Sequence, residues 1–330
     1  MRIAIVGAGA IGGFVGAKLA LAGEQVTFIA RGASLEAVQA HGVMLIGTDG
    51  REQIARHVAA TDDYAAAGRQ DLVILAVKAH QLAAVAPHVP QLLGAETPVV
   101  TMQNGIPYWY FHQHGGELAG TVLQSVDPGG LVSGAIPAAR VIGCVVYPAA
   151  ELRAPGTVQH IEGDRFPVGE LDGTSSERVV HIAQCLTHAG FKSPVLADLR
   201  AEIWLKLWGN LTFNPVSALT RATLVDICQC PPTRELAVAM MSEAQAVAAS
   251  LGISFRVSLE RRIAGAEKVG RHKTSMLQDV EAGRPLEHEA LLGSVVELAR
   301  LTGTATPHLD AVYALTVLLA RSIAPPRSAA

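Results

Sequence analysis

The chain has 330 residues and a formal net charge of −3; 50% of its residues are hydrophobic and 17% charged. A length of this order predicts two domains, each with enough apolar residues for its own core. The sparse, mixed charge excludes a nucleic-acid grip or a basic membrane patch, and no run reaches the ~20 apolar residues of a membrane span.

In chain order, residues 2–6 form the first predicted strand and run directly into Gly7-Ala8-Gly9-Ala10-Ile11-Gly12. An amphipathic helix is predicted over 12–22 and a second apolar strand over 25–30. This is the strand–turn–helix–strand order that a dinucleotide fingerprint needs. Gly7 permits the tight turn, Gly9 lets the backbone approach a pyrophosphate, and Gly12 lets the helix pack close to the strand. The N–H groups and positive end of the helix then face the phosphates. In that setting the apolar N-terminus reads as a strand, not a signal peptide. An NAD site usually puts a carboxylate at the end of the second strand. Here the strand ends Phe28-Ile29-Ala30-Arg31-Gly32. A guanidinium can grip a 2′-phosphate with two hydrogen bonds, so Arg31 points to NADP(H) rather than NAD(H).

Further strands are predicted at 72–77, 98–102, 120–126 and 141–147, with helices at 34–41, 80–93 and 176–189. Residues 43–46 and 53–58 read as a small strand excursion, and 158–161 and 166–168 as edge strands. Such alternation predicts a mostly parallel sheet covered on both faces. Two of its strands end in polar residues at the carboxyl edge. The first runs from Asp71 through Val77 into Lys78 and Gln81, where a cation can meet cofactor phosphate or ribose. The second runs from Val99 through Met102 into Gln103-Asn104-Gly105, where Asn104 offers donors and an acceptor.

After about residue 198 the strand pattern stops. Helices are predicted at 199–220, 231–251, 256–269, 273–281, 286–302 and 307–322, with prolines at the starts of the second and last. The chain therefore divides into an α/β domain with a Rossmann-type doubly wound sheet, residues 1–197, and an all-helical domain, residues 198–330. A ligand is expected in the crevice between them, at the carboxyl ends of the strands. The tail 325–330 reads as frayed.

The first helix of the second domain carries the sharpest local anomaly, Glu202-Ile-Trp204-Leu-Lys206-Leu-Trp208-Gly-Asn210-Leu-Thr-Phe-Asn214-Pro215. Lys206, Asn210 and Asn214 fall at i, i+4 and i+8, one narrow stripe among apolar residues. A cation and two amides so placed are costly to bury without partners, and an anionic, oxygen-rich substrate would supply them. Pro215 is expected to kink the helix beside Asn214. Downstream, Ser275 lies at a helix entrance in Thr274-Ser-Met-Leu-Gln-Asp279, and Glu287 opens the helix 286–302, where a carboxylate is favoured. The four cysteines, Cys144, Cys185, Cys228 and Cys230, lack zinc spacing and read as reduced thiols of a cytoplasmic protein. His288 sits between Glu287 and Glu289, but helix neighbours point different ways, so no metal is expected.

Together GAGAIGG, Arg31, VKAHQ, QNG, WLKLWGNLTFNP and TSMLQDxxxGRPLE resemble the ketopantoate reductase (2-dehydropantoate 2-reductase) family, in order and over almost the whole chain. The resemblance implies NADPH-dependent reduction of 2-dehydropantoate to (R)-pantoate, a step toward pantothenate and coenzyme A. Carried over by motif, Gly7, Ala8, Gly9, Ala10, Ile11, Gly12 and Arg31 hold the cofactor phosphates. Lys78, Gln81 and Ala149 or Ala150 lie against the cofactor, and Asn104 touches cofactor and substrate. Lys206 is the implied proton donor, Glu287 assists at the substrate–cofactor junction, and Asn210, Asn214 and Ser275 bind substrate. The partner expected is a small 2-oxo acid; no nucleic acid, membrane or metal is expected, and a homodimer is left open. Three positions depart from the family pattern. Leu224 stands where a substrate Asn is frequent, Tyr108-Trp109-Tyr110-Phe111 follows the QNG turn, and the last motif ends Leu286-Glu-His-Glu289. If the aromatic run lines the crevice mouth, it favours a bulkier, more apolar 2-oxo acid. The other alternative is an NADPH-sensing module without catalysis.

Overall fold

The computed structural model describes residues 1–323; the tail from Pro325 to Ala330, where fraying is expected, lies outside them. The chain forms two compact units. One comprises Met1–Gln103, Tyr108–Val122 and Asp127–Leu199; the other comprises Asn104–Pro107, Leu123–Val126 and the chain from Arg200 onward.

The first unit contains eleven strands: β1 (Arg2–Val6), β2 (Gln25–Ile29), β3 (Val43–Ile46), β4 (Glu52–Ala55), β5 (Val58–Thr61), β6 (Leu72–Leu75), β7 (Val99–Thr101), β8 (Val141–Cys144), β9 (Ala149–Ala154), β10 (Thr157–Glu162) and β11 (Val168–Glu170). Seven form one sheet in the order β11-β8-β7-β6-β1-β2-β5. It is parallel except at β11, which runs antiparallel to β8. Ile3 to Val6 are at most 1% exposed, the signature of a central strand covered on both faces. The other four strands make a second sheet, β4-β3-β10-β9.

The fingerprint helix, Ala10–Leu21, is held between these sheets. On one side a Cβ at Gly16 would come within 2.4 Å of the Phe28 ring; on the other, one at Gly13 would come within 2.6 Å of Val158. The expected amphipathic pattern is therefore corrected: the helix has no solvated stripe along Gly12–Ala17, all of which is buried. Its apolar character all round answers to two sheets instead of one.

Other expectations change for local reasons. Residues 80–93 are not one helix, because Pro87 and Pro90 break the run into short 3-10 and α turns. Residues 53–58 divide between β4 and β5, which join different sheets. Residues 120–126 form no strand. The amides of Gln124 and Ser125 donate instead to the Glu297 carboxylate at 2.8 and 2.9 Å, and Ser125 Oγ adds a bond of 2.6 Å. Backbone donors satisfied in this way need no sheet ladder.

The second unit is helical: Leu199–Thr220, Leu224–Gln229, Pro231–Ser250, Leu259–Val269, Ser275–Glu281, a π turn at Glu289–Gly293 leading into Ser294–Thr302, and Pro307–Ile323. The first helix runs on through Pro215. Trp204 and Trp208 are wholly buried; Trp208 Nε1 donates to the Met241 carbonyl at 2.7 Å and its ring stacks on Phe255. Among the described residues no helix is long and apolar enough to cross a membrane.

Tyr108 to Phe111 do not line a mouth. They are 5%, 3%, 0% and 1% exposed within the first unit's core. Tyr108 Oη donates to the Ile136 carbonyl at 3.1 Å, and Trp109 Nε1 donates to Thr101 Oγ1 at 3.0 Å. Large rings whose polar edges find buried partners belong to a core. Trp109→Ala should accordingly cost about 3–5 kcal/mol of stability. Denaturant unfolding measures it, and a loss below about 1 kcal/mol would contradict the packing role.

Candidate active site

In the first unit, β1 delivers the chain into Gly7 at φ 105. The amide of Gly7 donates to the Ile29 carbonyl at 3.0 Å, tying the glycine turn to the end of β2. A Cβ at Gly12 would lie 1.9 Å from the Gly7 carbonyl oxygen, so helix and turn touch backbone to backbone. Gly9 differs: a Cβ there meets nothing within 4 Å. It is also the N-cap of the helix Ala10–Leu21, and no side chain caps that end. Open space before uncapped helical N–H groups is a cradle for an anion. The donor set fits a dinucleotide pyrophosphate.

Arg31 stands exposed just beyond β2, at the N-cap of the helix Gly32–His41. Burial raises the Tyr64 phenol above its ordinary pKa, and the charge of Arg31 works against that rise, which puts the two side chains in electrical range. Lys78 follows β6, half-buried, and its amide donates to Gln81 Oε1 at 3.1 Å. Gln81 thus closes the turn that carries Lys78. Ala149 and Ala150 begin β9, half-buried, with Ala150 opposite His160 of β10.

Sequence reasoning missed one member of this unit. Gln103 Nε2 donates to the carbonyls of Leu75 at 2.8 Å and Val77 at 3.0 Å, joining the ends of β7 and β6. Its place at a strand end was visible; its target, some 26 to 28 residues away, was not.

The second unit gathers the remaining candidates: Asn104, Lys206, Asn210, Asn214, Ser275 and Glu287. Lys206 Nζ donates to Asn104 Oδ1 at 2.5 Å, across 102 residues of chain. Asn214, 7% exposed, has Nδ2 3.4 Å from Ser275 Oγ. Lys206, Asn210 and Glu287 are half-buried and Ser275 is exposed. The structure therefore pairs Lys206 with Asn104 and Asn214 with Ser275. Asn210 shares the Lys206 face of the helix, one turn on.

Asn104 is placed by its neighbours in sequence. Gly105 has φ 89, and a Cβ there would sit 2.0 Å from the Ala290 carbonyl oxygen. The amide of Ile106 donates to that same oxygen at 3.0 Å. Only glycine combines this φ with so close an approach. Asn104 is thereby fixed to the π turn that begins two residues after Glu287. Among the described residues no group of three or more His, Cys, Asp or Glu is arranged to hold a metal ion.

Comparisons with known proteins cover the same ground. The family model for ketopantoate reductase PanE/ApbA matches residues 3–173, and that for the ketopantoate reductase PanE/ApbA C terminal matches residues 198–319. A 2-dehydropantoate 2-reductase of Mesorhizobium japonicum is 54% identical, over 97% of this chain and 98% of that one. A solved structure from Ralstonia solanacearum, assigned as a ketopantoate reductase, superposes with a TM-score of 0.93 at 43% identity, covering 98% of each chain. That of 2-dehydropantoate 2-reductase from Methylococcus capsulatus gives 0.83 at 30% identity, covering 99% of each.

The two glycines of the fingerprint should fail differently. Gly9→Ala is expected to stay within about 0.5 kcal/mol of normal stability but to bind dinucleotide at least tenfold more weakly, a loss of about 1.4 kcal/mol. Gly12→Ala should lose about 1–3 kcal/mol of stability as well. Thermal melts and cofactor titrations on both variants separate the roles; undiminished affinity in Gly9→Ala would remove Gly9 from the cradle.

Proposed function

The chain belongs to the ketopantoate reductase family, and from that premise we propose that it reduces 2-dehydropantoate to (R)-pantoate with NADPH as reductant. The observation that carries the reading is the Lys206–Asn104 hydrogen bond, which sets a cation on the strand-end amide of the QNG turn. A nicotinamide cofactor, when bound, supplies the hydride. Gly7 to Gly12 would hold its pyrophosphate, and Arg31 its 2′-phosphate. Lys78, Gln81 and Ala149 or Ala150 would lie against it. These assignments draw on the cradle at Gly9 and the strand-end position of Arg31.

The rest of the chemistry falls to side chains of the second unit. Addition to a ketone develops negative charge on its oxygen. The ammonium of Lys206 stabilises that oxygen and then donates its proton to it. Asn104 orients the ammonium through Oδ1 while leaving its amide N–H groups as donors. Asn210, Asn214 and Ser275 hold the carboxylate and hydroxyl of the substrate, so that one face of the ketone is presented. Glu287, beside the π turn that fixes Asn104, assists at the same junction. An amide and hydroxyl pair such as Asn214–Ser275 suits an oxygen-rich acid, since both groups can donate to it.

The reading of a bulkier, more apolar substrate loses its main support, because Tyr108 to Phe111 are core residues. Leu224 alone remains of that argument, half-buried at the start of a helix. A sensor without catalysis has no need of a cation aimed at an amide. The setting proposed is the cytoplasm. The four cysteines form no disulfide, and burial, reinforced by Glu24, pushes the Cys185 thiol up to about 12, so it is inert. NADPH oxidation with 2-dehydropantoate, set beside a panel of branched and aromatic 2-oxo acids, tests the substrate. A higher kcat/KM on any other acid would overturn it.

Arg31→Ala is expected to weaken NADPH by about 1.5–3 kcal/mol, the worth of a charge-assisted contact, and NADH far less. Titration of both cofactors against both proteins decides; equal losses would take the 2′-phosphate from Arg31. Lys206→Ala should lower turnover by ~10²–10⁴-fold while NADPH still binds. Near-normal turnover in that variant on 2-dehydropantoate would remove Lys206 from the mechanism.

A further inference from the structure

Two residues past Glu287 the helical run opens with the π turn Glu289–Gly293. The Ser294 amide bonds the Glu289 carbonyl, five residues back. The Ala290 carbonyl therefore loses that amide, its ordinary α-helical partner. It accepts instead from Ser294 Oγ at 2.8 Å and from the Ile106 amide at 3.0 Å. A helical irregularity is thus what opens the acceptor that clasps the Asn104 loop.

Side chains hold the π turn in turn. Tyr313 Oη, from the helix Pro307–Ile323, donates to the Glu289 carboxylate, 3.0 and 2.9 Å from its two oxygens. His288 Nε2 lies 3.2 Å from the same carboxylate. Burial works to raise the Glu289 carboxyl, but the hydrogen bonds from His288 and Tyr313 outweigh it and hold it below the usual carboxylate range. Burial and Glu289 push the Tyr313 phenol up to about 12, so it remains a donor. Gly293 leaves room for the carboxylate: a Cβ there would lie 2.2 Å from Glu289 Oε2 and 3.3 Å from the Tyr313 ring.

We propose that Tyr313 and Glu289 are positioning residues for the reduction: they fix the π turn, whose Ala290 carbonyl fixes the Asn104 loop and so aims Lys206. Neither is among the residues that would touch substrate or cofactor. The proposal rests on the reading of Lys206 as proton donor. Its logic is geometric. Asn104 reaches its place through a main-chain clasp, and the clasp exists only while Ala290 is held in the π register.

Two variants probe this without disturbing the clasp residues themselves. Tyr313→Phe removes one hydroxyl. Gly293→Ala keeps a helical backbone, φ −55 and ψ −42, displaces the movable end of Glu289 and crowds the Tyr313 ring at 3.3 Å. Each should lower kcat on 2-dehydropantoate on the order of ten- to a hundredfold, the effect of a small misplacement. KM for the keto acid and the affinity for NADPH should stay within about twofold. In an Asn104→Ala background neither variant should lower kcat further, because Asn104 is the group through which both act. Unchanged kcat in both variants, with Lys206→Ala inactive, would overturn the positioning role and leave the proposed reaction standing. Full additivity with Asn104→Ala would also overturn it, by showing a structural effect elsewhere. An active Lys206→Ala would overturn both this proposal and the mechanism beneath it.

Discussion

The first unit depends on how near its first helix comes to the turn before it. With 1.9 Å between a notional Cβ at Gly12 and the Gly7 carbonyl oxygen, no side chain fits at that position. The contact fixes the angle at which the helix leaves the turn. It also brings Gly13 and Gly16 into position to pack on Val158 of one sheet and Phe28 of the other. A helix standing further off would lose both contacts, and the uncapped N–H groups at Gly9 would no longer share a turn with the end of β2. Packing and anion cradle are therefore consequences of one steric constraint.

The second unit uses the same device for a different end. At Gly105 the backbone meets the Ala290 carbonyl, and the residue before it, Asn104, is positioned without spending its own side chain. That leaves the amide for Lys206. A side chain that had to anchor its own loop would have fewer polar atoms left for chemistry. Gln103, one residue earlier, shows the contrast: its amide N–H groups are taken by the Leu75 and Val77 carbonyls, and its work is structural.

Legibility in the sequence follows the range of the interactions. The glycine turn, the strands β1 and β2 and the helix Leu199–Thr220 are local matters, written as turn residues and apolar runs. The Lys206, Asn210 and Asn214 stripe is local too, since it needs only helical spacing. What could not be read is nonlocal. Glu297 captures the amides of Gln124 and Ser125 from more than 170 residues away, so an apolar run that looks like a strand becomes a turn. Tyr108 to Phe111 look like a mouth only until Thr101 and Ile136 are seen to satisfy their polar edges. The π turn has no composition signal at all. It is set by Tyr313 on another helix and by room beside Gly293.

The hydrogen bond from Lys206 to Asn104 has a physical sense of its own. The amide oxygen of Asn104 orients the ammonium by a dipole. Three carboxylates on neighbouring elements have donors of their own: Glu202, one turn before Lys206 and 2% exposed, pairs with Arg256 at 2.8 Å, Glu289 takes Tyr313, and Glu297 takes the amides of 124 and 125. Binding these carboxylates to their donors keeps negative charge in fixed places, and Asn104 Oδ1 orients the ammonium. A cation so held can meet the developing charge on a ketone oxygen with little reorganisation, which is the condition for strong electrostatic stabilisation of the transition state.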